Sequence, residues 1–322
     1  MKVLIQMKYN SAIDKKVRKL RRDLPEVEIY TDPERTPMDK VNVLIGGVID
    51  EALINAMKSL ELIFLPFAGV EDMPFGLLDR KGIRLVNSHS GAPYVAERAL
   101  GLLLDLAGKI SAYHMDLMKE RWHGYWGGGG MKDAWTSIRG KTCGIVGTGS
   151  IGMSMAKLLL PFKCRILGYR RKGSSCPPGF DHVFTDLHEL IRESDIILMA
   201  LPLTEDTYKI LGEEEFALME GKLLVNVARG KVVSESALYK SLSDNILAGA
   251  AIDTWYTYPL GRNAGAPSKY PIHKLKNVVL SPHVGGFCYE ALKGVVDDIF
   301  DSLEEYIRTG KLSSLVDLKA GY

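Results

Sequence analysis

"CGIVGTGSIGMSMAKLL", residues 143–159, is the stretch whose reading decides the fold. A short run of strand character ends at Gly147, and a helical pattern begins at Ser150 and Ile151. Gly147, Gly149 and Gly152 stand in G-x-G-x-x-G spacing. The first allows a tight turn, the second lets backbone approach a pyrophosphate, and the third lets the new helix pack close to the strand. The start of that helix offers unpaired N–H groups and a positive dipole end to phosphates. The spacing carries little by itself in a chain with 32 glycines. With a strand before it, a helix after it and a second strand ending at Tyr169, it predicts a dinucleotide-binding βαβ unit.

That second strand closes on "ILGYRRKG", residues 166–173. In such a unit the end of the second strand meets the adenosine ribose, where an acid suits NAD and a cation suits the 2′-phosphate of NADP. The turn holds no acid, and it has Arg170, Arg171 and Lys172. Guanidinium forks pair well with phosphate oxygens. The expected cofactor is NADP, with NAD possible, and the competing reading is an exposed basic turn without a ligand.

Outward from this unit, apolar runs alternate with helical patterns nearly throughout. "KVLIQM", "VEIYT", "VNVLIGG", "LIFLPF" and "RLVNS" read as strands in the first ninety residues. "CRILGYR", "DIILMAL", "KLLVNVA", "LAGAAIDT" and "NVVLSPHV" continue the series later in the chain. The alternation predicts parallel βαβ sheets. Between the two series, residues 92–122 read as one long helix, and "WHGYWGGGGMKDAW" (122–135) reads as a loop, since consecutive glycines hold neither helix nor central strand. Residues 287–310 read as a helix stopped by Gly310.

With 322 residues, 46% of them hydrophobic, the chain can fill two cores. A net charge of +2 points to neither nucleic acid nor a membrane surface. The basic run "KKVRKLRR" (15–22) accompanies Ile13, Val17, Leu20 and Leu24, one stripe of a helix, so its cations are expected to be a solvated face. No apolar run approaches the ~18 residues that span a bilayer. Cys143, Cys164, Cys176 and Cys288 show neither paired nor metal-type spacing, so no metal and a reducing cytoplasmic setting are expected.

Three strand ends carry unusual polar groups: Arg229 in "NVARG", Asp253 in "AIDTWYTYP" and His283 in "SPHVGG". Ligands of open α/β sheets bind beyond the carboxyl ends of strands, so these side chains are candidates for one crevice. Arginine can grip a carboxylate by two hydrogen bonds, and histidine can exchange a proton near neutrality. Beside a nicotinamide, that is a kit for carbonyl reduction.

Together these stretches resemble the D-isomer-specific 2-hydroxyacid dehydrogenases over nearly the whole chain. "PFAGVEDM" (66–73) is similar to the family's substrate loop, "GTGSIG" to its cofactor loop and "LPLTEDT" (201–207) to the loop beneath the nicotinamide half. "NVARG" and "SPHVGG" are similar to its arginine and histidine motifs. The resemblance implies an α/β fold of two doubly wound parallel-sheet domains, a Rossmann coenzyme domain (92–287) and a flavodoxin-like split substrate domain (1–91 and 288–322). It implies cofactor contacts from Gly147, Gly149, Ser150, Ile151, Gly152, Arg170, Arg171, Pro202, Thr207, Ala228, Asp253, His283 and Gly285. Gly69, Val70 and Arg229 would bind substrate, and Arg229 and His283 would be catalytic. A homodimer built largely through the long helix and the segment after it is also implied. One position departs from the pattern. Where the family has a glutamate that pairs with the histidine, followed by proline, this chain has Tyr258 before Pro259, so Tyr258 joins the catalytic candidates. The expected activity is NADP(H)-dependent reduction of a small 2-oxoacid, of hydroxypyruvate or glyoxylate type, to the D-2-hydroxyacid. The other reading is a nucleotide-sensing, corepressor-like regulatory protein on the same fold.

Overall fold

Strands covered by helices on both sides must be apolar on both faces, and the short runs quoted above meet that condition. The computed structural model describes residues 1–7, 10–171, 173, 175–261 and 264–322. Its elements begin with β1 (Lys2–Gln6), α1 (Ser11–Asp23), β2 (Glu28–Tyr30), β3 (Val43–Gly46), α2 (Glu51–Ala56), β4 (Leu62–Leu65), α3 (Phe75–Lys81) and β5 (Arg84–Asn87). They continue with α4 (Ala92–Gly108), α5 (Ile110–Leu117), β6 (Thr142–Val146), α6 (Ser150–Leu159), β7 (Arg165–Tyr169), β8 (His182–Phe184), α7 (Leu187–Glu193) and β9 (Ile196–Met199). The last are α8 (Glu213–Ala217), β10 (Leu223–Asn226), α9 (Glu235–Ser243), β11 (Gly249–Ile252), β12 (Val278–Leu280) and α10 (Tyr289–Thr309). The chain divides into two units, Met1–Gly91 with Phe287–Tyr322, and Ala92–Gly286.

The first unit has five parallel strands in the order β2-β1-β3-β4-β5, the flavodoxin-like order. Side chains alternate across the sheet: Val3 and Ile5 join a core with α1 and α10, while Leu4 joins the opposite core with α2 and α3. The side chain of Asn10 starts α1 by accepting hydrogen bonds from the N–H groups of Ala12 and Ile13, both at 3.0 Å. Ile13, Val17, Leu20 and Leu24 are buried, as their spacing predicts. The basic face is not all solvated, however. Lys16 pairs with Asp297 (2.8 Å) and Asp301 (3.0 Å), and Lys19 with Glu304 (2.8 Å), all acids of α10. Such partly exposed pairs contribute about 0.2–1 kcal/mol each, so they orient the two helices more than they hold them. Gly310 ends α10 in the left-handed conformation (φ 72°), its N–H bonded to the carbonyl of Tyr306 at 2.8 Å.

The second unit has seven parallel strands in the order β12-β11-β10-β9-β6-β7-β8. This is the Rossmann order with one strand added, and its direction reverses between β6 and β9. Helices α4 and α6 cover one face, where Ala96, Ala99, Met155 and Ala156 are buried. On the other face lie α7, α8 and α9, with Leu190, Phe216 and Leu238. The segment expected as one helix over 92–122 is two helices, and the second ends at Leu117. Lys109 takes a left-handed conformation (φ 52°) between them, and Asp105 caps the new helix by accepting from the N–H (2.7 Å) and hydroxyl (2.5 Å) of Ser111. An acid inside the apolar repeat thus restarts the helix, a break that periodicity alone does not reveal. Strand β8 at the sheet edge has no buried residue, so it likewise leaves no apolar run to read.

Candidate active site

The glycine turn joins β6 to α6 at the switch point of the seven-stranded sheet. Gly147 has φ 108°, and a Cβ there would lie 2.6 Å from the carbonyl oxygen of Ala200, which follows β9. At Gly152 a Cβ would lie 2.0 Å from the carbonyl oxygen of Gly147. Both positions therefore exclude any side chain. Gly149 differs, because a Cβ there would meet nothing within 4 Å. It faces open space at the start of α6, and it caps that helix with no side-chain bond. The first-turn amides at Ser150 and Ile151 are thus presented, with the helix dipole behind them, to an approaching anion. These residues fit a dinucleotide pyrophosphate.

The cations at the end of β7 fit the far end of such a ligand. Arg170 donates from Nη1 to the carbonyl and to the hydroxyl of Ser175, both at 3.1 Å. Arg171 is ion-paired with Asp206. Lys172 lies outside the described residues. Pro202 and Thr207 belong to the loop after β9. The Thr207 hydroxyl ties that loop by accepting from the N–H of Thr204 and donating to the carbonyl of Pro202, each at 2.7 Å.

The polar candidates at the neighbouring strand ends are each held by a local framework. At the end of β10, buried Asn226 accepts from the N–H of Ala228 (3.0 Å) and donates to the carbonyl of Arg229 (3.1 Å). Arg229 itself is half-buried and donates from Nη1 to the carbonyl of Ala228 at 2.8 Å. A Cβ on Gly230 would lie 2.3 Å from the carbonyl oxygen of Trp255, so the turns after β10 and β11 are packed backbone to backbone.

Asp253, 2% exposed, follows β11. Its carboxylate accepts from the Ser281 hydroxyl and from the N–H groups of Val284 (3.0 Å) and Gly285 (2.9 Å). Arg98 of α4 donates in turn to the Ser281 hydroxyl at 3.0 Å, and the Trp255 indole N–H donates to the Ser281 carbonyl at 2.8 Å. This network wraps the turn around His283, an exposed residue held at φ 57°. The ring of Tyr258 lies beside the imidazole, with centroids 5.3 Å apart and planes 46° to each other. The Tyr258 oxygen accepts from the N–H of Trp255 at 3.0 Å.

Within the second unit, then, the glycine turn, Arg229, Asp253, Tyr258, His283 and Gly285 all stand at carboxyl ends of strands. Gly69 and Val70 belong to the first unit, in the loop after β4. Val70 is buried there, and its carbonyl accepts from the N–H of Met73 at 3.0 Å, while Asn87 donates to the carbonyl of Ala68 at 2.7 Å.

Comparison with known proteins shows which family the chain belongs to. A family model described as "D-isomer specific 2-hydroxyacid dehydrogenase, NAD binding domain" matches residues 100–285. The chain belongs to that family. It is accordingly an oxidoreductase of the D-2-hydroxyacid dehydrogenase type. Similar curated proteins include the hydroxypyruvate reductase of Thermotoga maritima, 30% identical over 91% of this chain and 97% of that one. The glyoxylate reductase of Thermococcus kodakarensis is 31% identical over 84% of each. Among solved structures, an acyclic imino acid reductase in complex with NADPH and D-Arg is 25% identical, covers 98% of this chain and 100% of that one, and superposes with a TM-score of 0.81. These relatives are named as reductases, which favours the enzyme over the regulatory reading.

Four residues that frame the candidate site of this D-2-hydroxyacid dehydrogenase are not singled out by the sequence. Asn226 and Ser281 lie inside the quoted motifs, and their capping roles are visible only in three dimensions. Asp206 reads as an ordinary loop acid. Arg98 reaches Ser281 from a helix 183 residues away in sequence and leaves no local signal.

Proposed function

We propose that the protein reduces a small 2-oxoacid, of glyoxylate or hydroxypyruvate type, to the D-2-hydroxyacid with NADPH as electron donor. The observation that carries this reading is that Arg229 and His283 stand at carboxyl ends of strands in the same sheet as the glycine turn, with two arginines where the 2′-phosphate would bind. Residues 92–287 are assigned as coenzyme domain, and 1–91 with 288–322 as substrate domain. When bound, the reduced nicotinamide supplies the hydride. Arg229 grips the substrate carboxylate and steadies charge on the carbonyl oxygen through charge-assisted hydrogen bonds. His283 gives a proton to that oxygen, and backbone groups at Gly69 and Val70 bind the carboxylate. An ionised carboxylate offers about four acceptor sites, so Asp253, with three bonds made inside the turn, retains one for the carboxamide of the nicotinamide. Tyr258 packs against the imidazole at the position where the family pattern that the sequence resembles has a glutamate.

A homodimer follows the same reading. Met118, Trp122, Tyr125, Trp126 and Met131, on the end of α5 and the following loop, are all more than half exposed, Trp126 at 86%. Apolar side chains concentrated in one segment suit a second copy of the chain. Among the described residues no helix is long and apolar enough to cross a membrane. A cytoplasmic setting fits the four cysteines, all present as thiols.

The deciding experiment is oxidation of NADPH and NADH across a panel of 2-oxoacids. Turnover on glyoxylate or hydroxypyruvate, with NADPH preferred, is the expected result. Equal efficiency with both coenzymes would remove the NADP assignment. Nucleotide binding without turnover on any member would return the regulatory reading.

A further inference from the structure

The two arginines at the end of β7 are held in different ways. Arg170 stays within its own turn, donating to Ser175. Arg171 instead reaches across to the loop after β9, where its guanidinium is paired with Asp206. That loop is braced by the bonds of Thr207 to Thr204 and Pro202, so Asp206 is carried on a fixed turn. The side chains of Arg171 and Asp206 are 39% and 66% exposed, so a ligand anion can reach the pair.

A phosphate monoester carries about −1.5 to −2 charges near neutrality and seeks the same guanidinium fork as the carboxylate. It must compete with Asp206 for Arg171 and, once seated, it lies beside a like charge. Adenosine without a 2′-phosphate meets neither effect.

We propose that Asp206 is a specificity-determining residue, an intramolecular counterion that a 2′-phosphate has to displace from Arg171, so that it restrains affinity for the phosphorylated coenzyme and leaves the unphosphorylated one unaffected. This rests on the NADP reading given above. It adds that the 2′-phosphate site is partly self-occupied. Because the pair is exposed, the restraint is modest and weakens with salt.

The test is calorimetric titration of the coenzyme-free protein with adenosine 2′,5′-bisphosphate and with AMP, in wild type, Asp206→Asn, Arg171→Ala and the double variant. Asp206→Asn is expected to bind the bisphosphate about two- to fivefold more tightly, with AMP unchanged. The gain should shrink at higher ionic strength and be smaller when Arg171 is also removed, where only the like-charge repulsion remains. Unchanged or weaker bisphosphate binding by Asp206→Asn overturns the proposal, as does a gain undiminished without Arg171. Wild-type preference for the bisphosphate over AMP reports separately on the NADP assignment. A wild type that binds both alike counts against that assignment, while the response to Asp206→Asn still decides the role of Asp206.

Discussion

In the proposed mechanism Arg229 both binds the substrate and stabilises charge as it develops. Arg229→Ala should therefore lower kcat and raise KM together, with about a 10²-fold or greater loss in kcat/KM. Arg229→Lys should recover only part, since an ammonium cannot reproduce a two-pronged contact. Steady-state kinetics with glyoxylate decides it, and near-normal activity in the alanine variant removes the role. Tyr258 gives a second expectation. A carboxylate beside an imidazole favours the imidazolium, and a phenol does so far less. On the proposed mechanism reduction needs His283 protonated, so the rate should fall toward high pH. In Tyr258→Glu that falling limb should move to higher pH, and an unmoved limb in a folded, active variant refutes the coupling. Sequence alone supplies Arg229, His283 and the tyrosine substitution, because each sits in a motif of fixed spacing. It does not supply the roles of Asp206 or Arg98, whose partners are distant in the chain: Asp206 sits in a quoted loop motif that says nothing of Arg171, and Arg98 lies in no motif.

The turn from Ser281 to Gly286 is shaped less by its own residues than by one buried carboxylate. Asp253→Asn puts an amide where three donors converge, and only its oxygen can still accept. The loss should be about 1.5–3 kcal/mol of stability, read as a lower urea midpoint, together with weaker coenzyme binding. The loop after α5 is built around charge instead. His123 lies between Asp133 (2.6 Å) and Asp116 (2.9 Å), and these hydrogen bonds, that of Asp133 first, raise its pKa above the usual value. Asp133 is held low chiefly by the Gly124 N–H and then by His123. What His123 adds to stability is thus fully present below its unfolded pKa of about 6.5 and is lost as pH rises through the higher folded value. The aspartates act in the opposite sense, losing their share as pH falls through their lowered values. An NMR titration of the His123 ring should show a midpoint above about 6.5, and Asp133→Asn should bring it down. Glycine content marks this segment as a loop, but the histidine–aspartate clasp that orders it joins residues no periodicity connects.

Across the whole molecule, the parallel sheets follow from the alternation of apolar runs and helices, while the doubly wound Rossmann and flavodoxin-like arrangement is what the family resemblance implies. The breaks and edges are less legible, as Lys109 and β8 show. The chain passes between its two units at Gly91–Ala92 and Gly286–Phe287. Gly91 and Pro93 at the first passage, and Gly285 and Gly286 at the second, suit a hinge, which needs a few residues that absorb backbone rotation. Crystals with and without coenzyme and substrate analogue should differ by a rotation about residues 90–93 and 286–289, and superimposable forms would remove the motivation. The divided first unit also bears on biosynthesis. Its sheet is complete once β5 has left the ribosome, yet the face that α1 covers in part stays half open until α10 is translated, after the whole of residues 92–286. At 5–20 residues per second that is a wait of roughly ten to forty seconds. During it Val3, Ile5 and Phe64 lack the cover that Ile299, Phe300 and Leu303 later provide. The nascent amino-terminal piece is therefore a natural client for a chaperone, while the inserted unit can finish folding first.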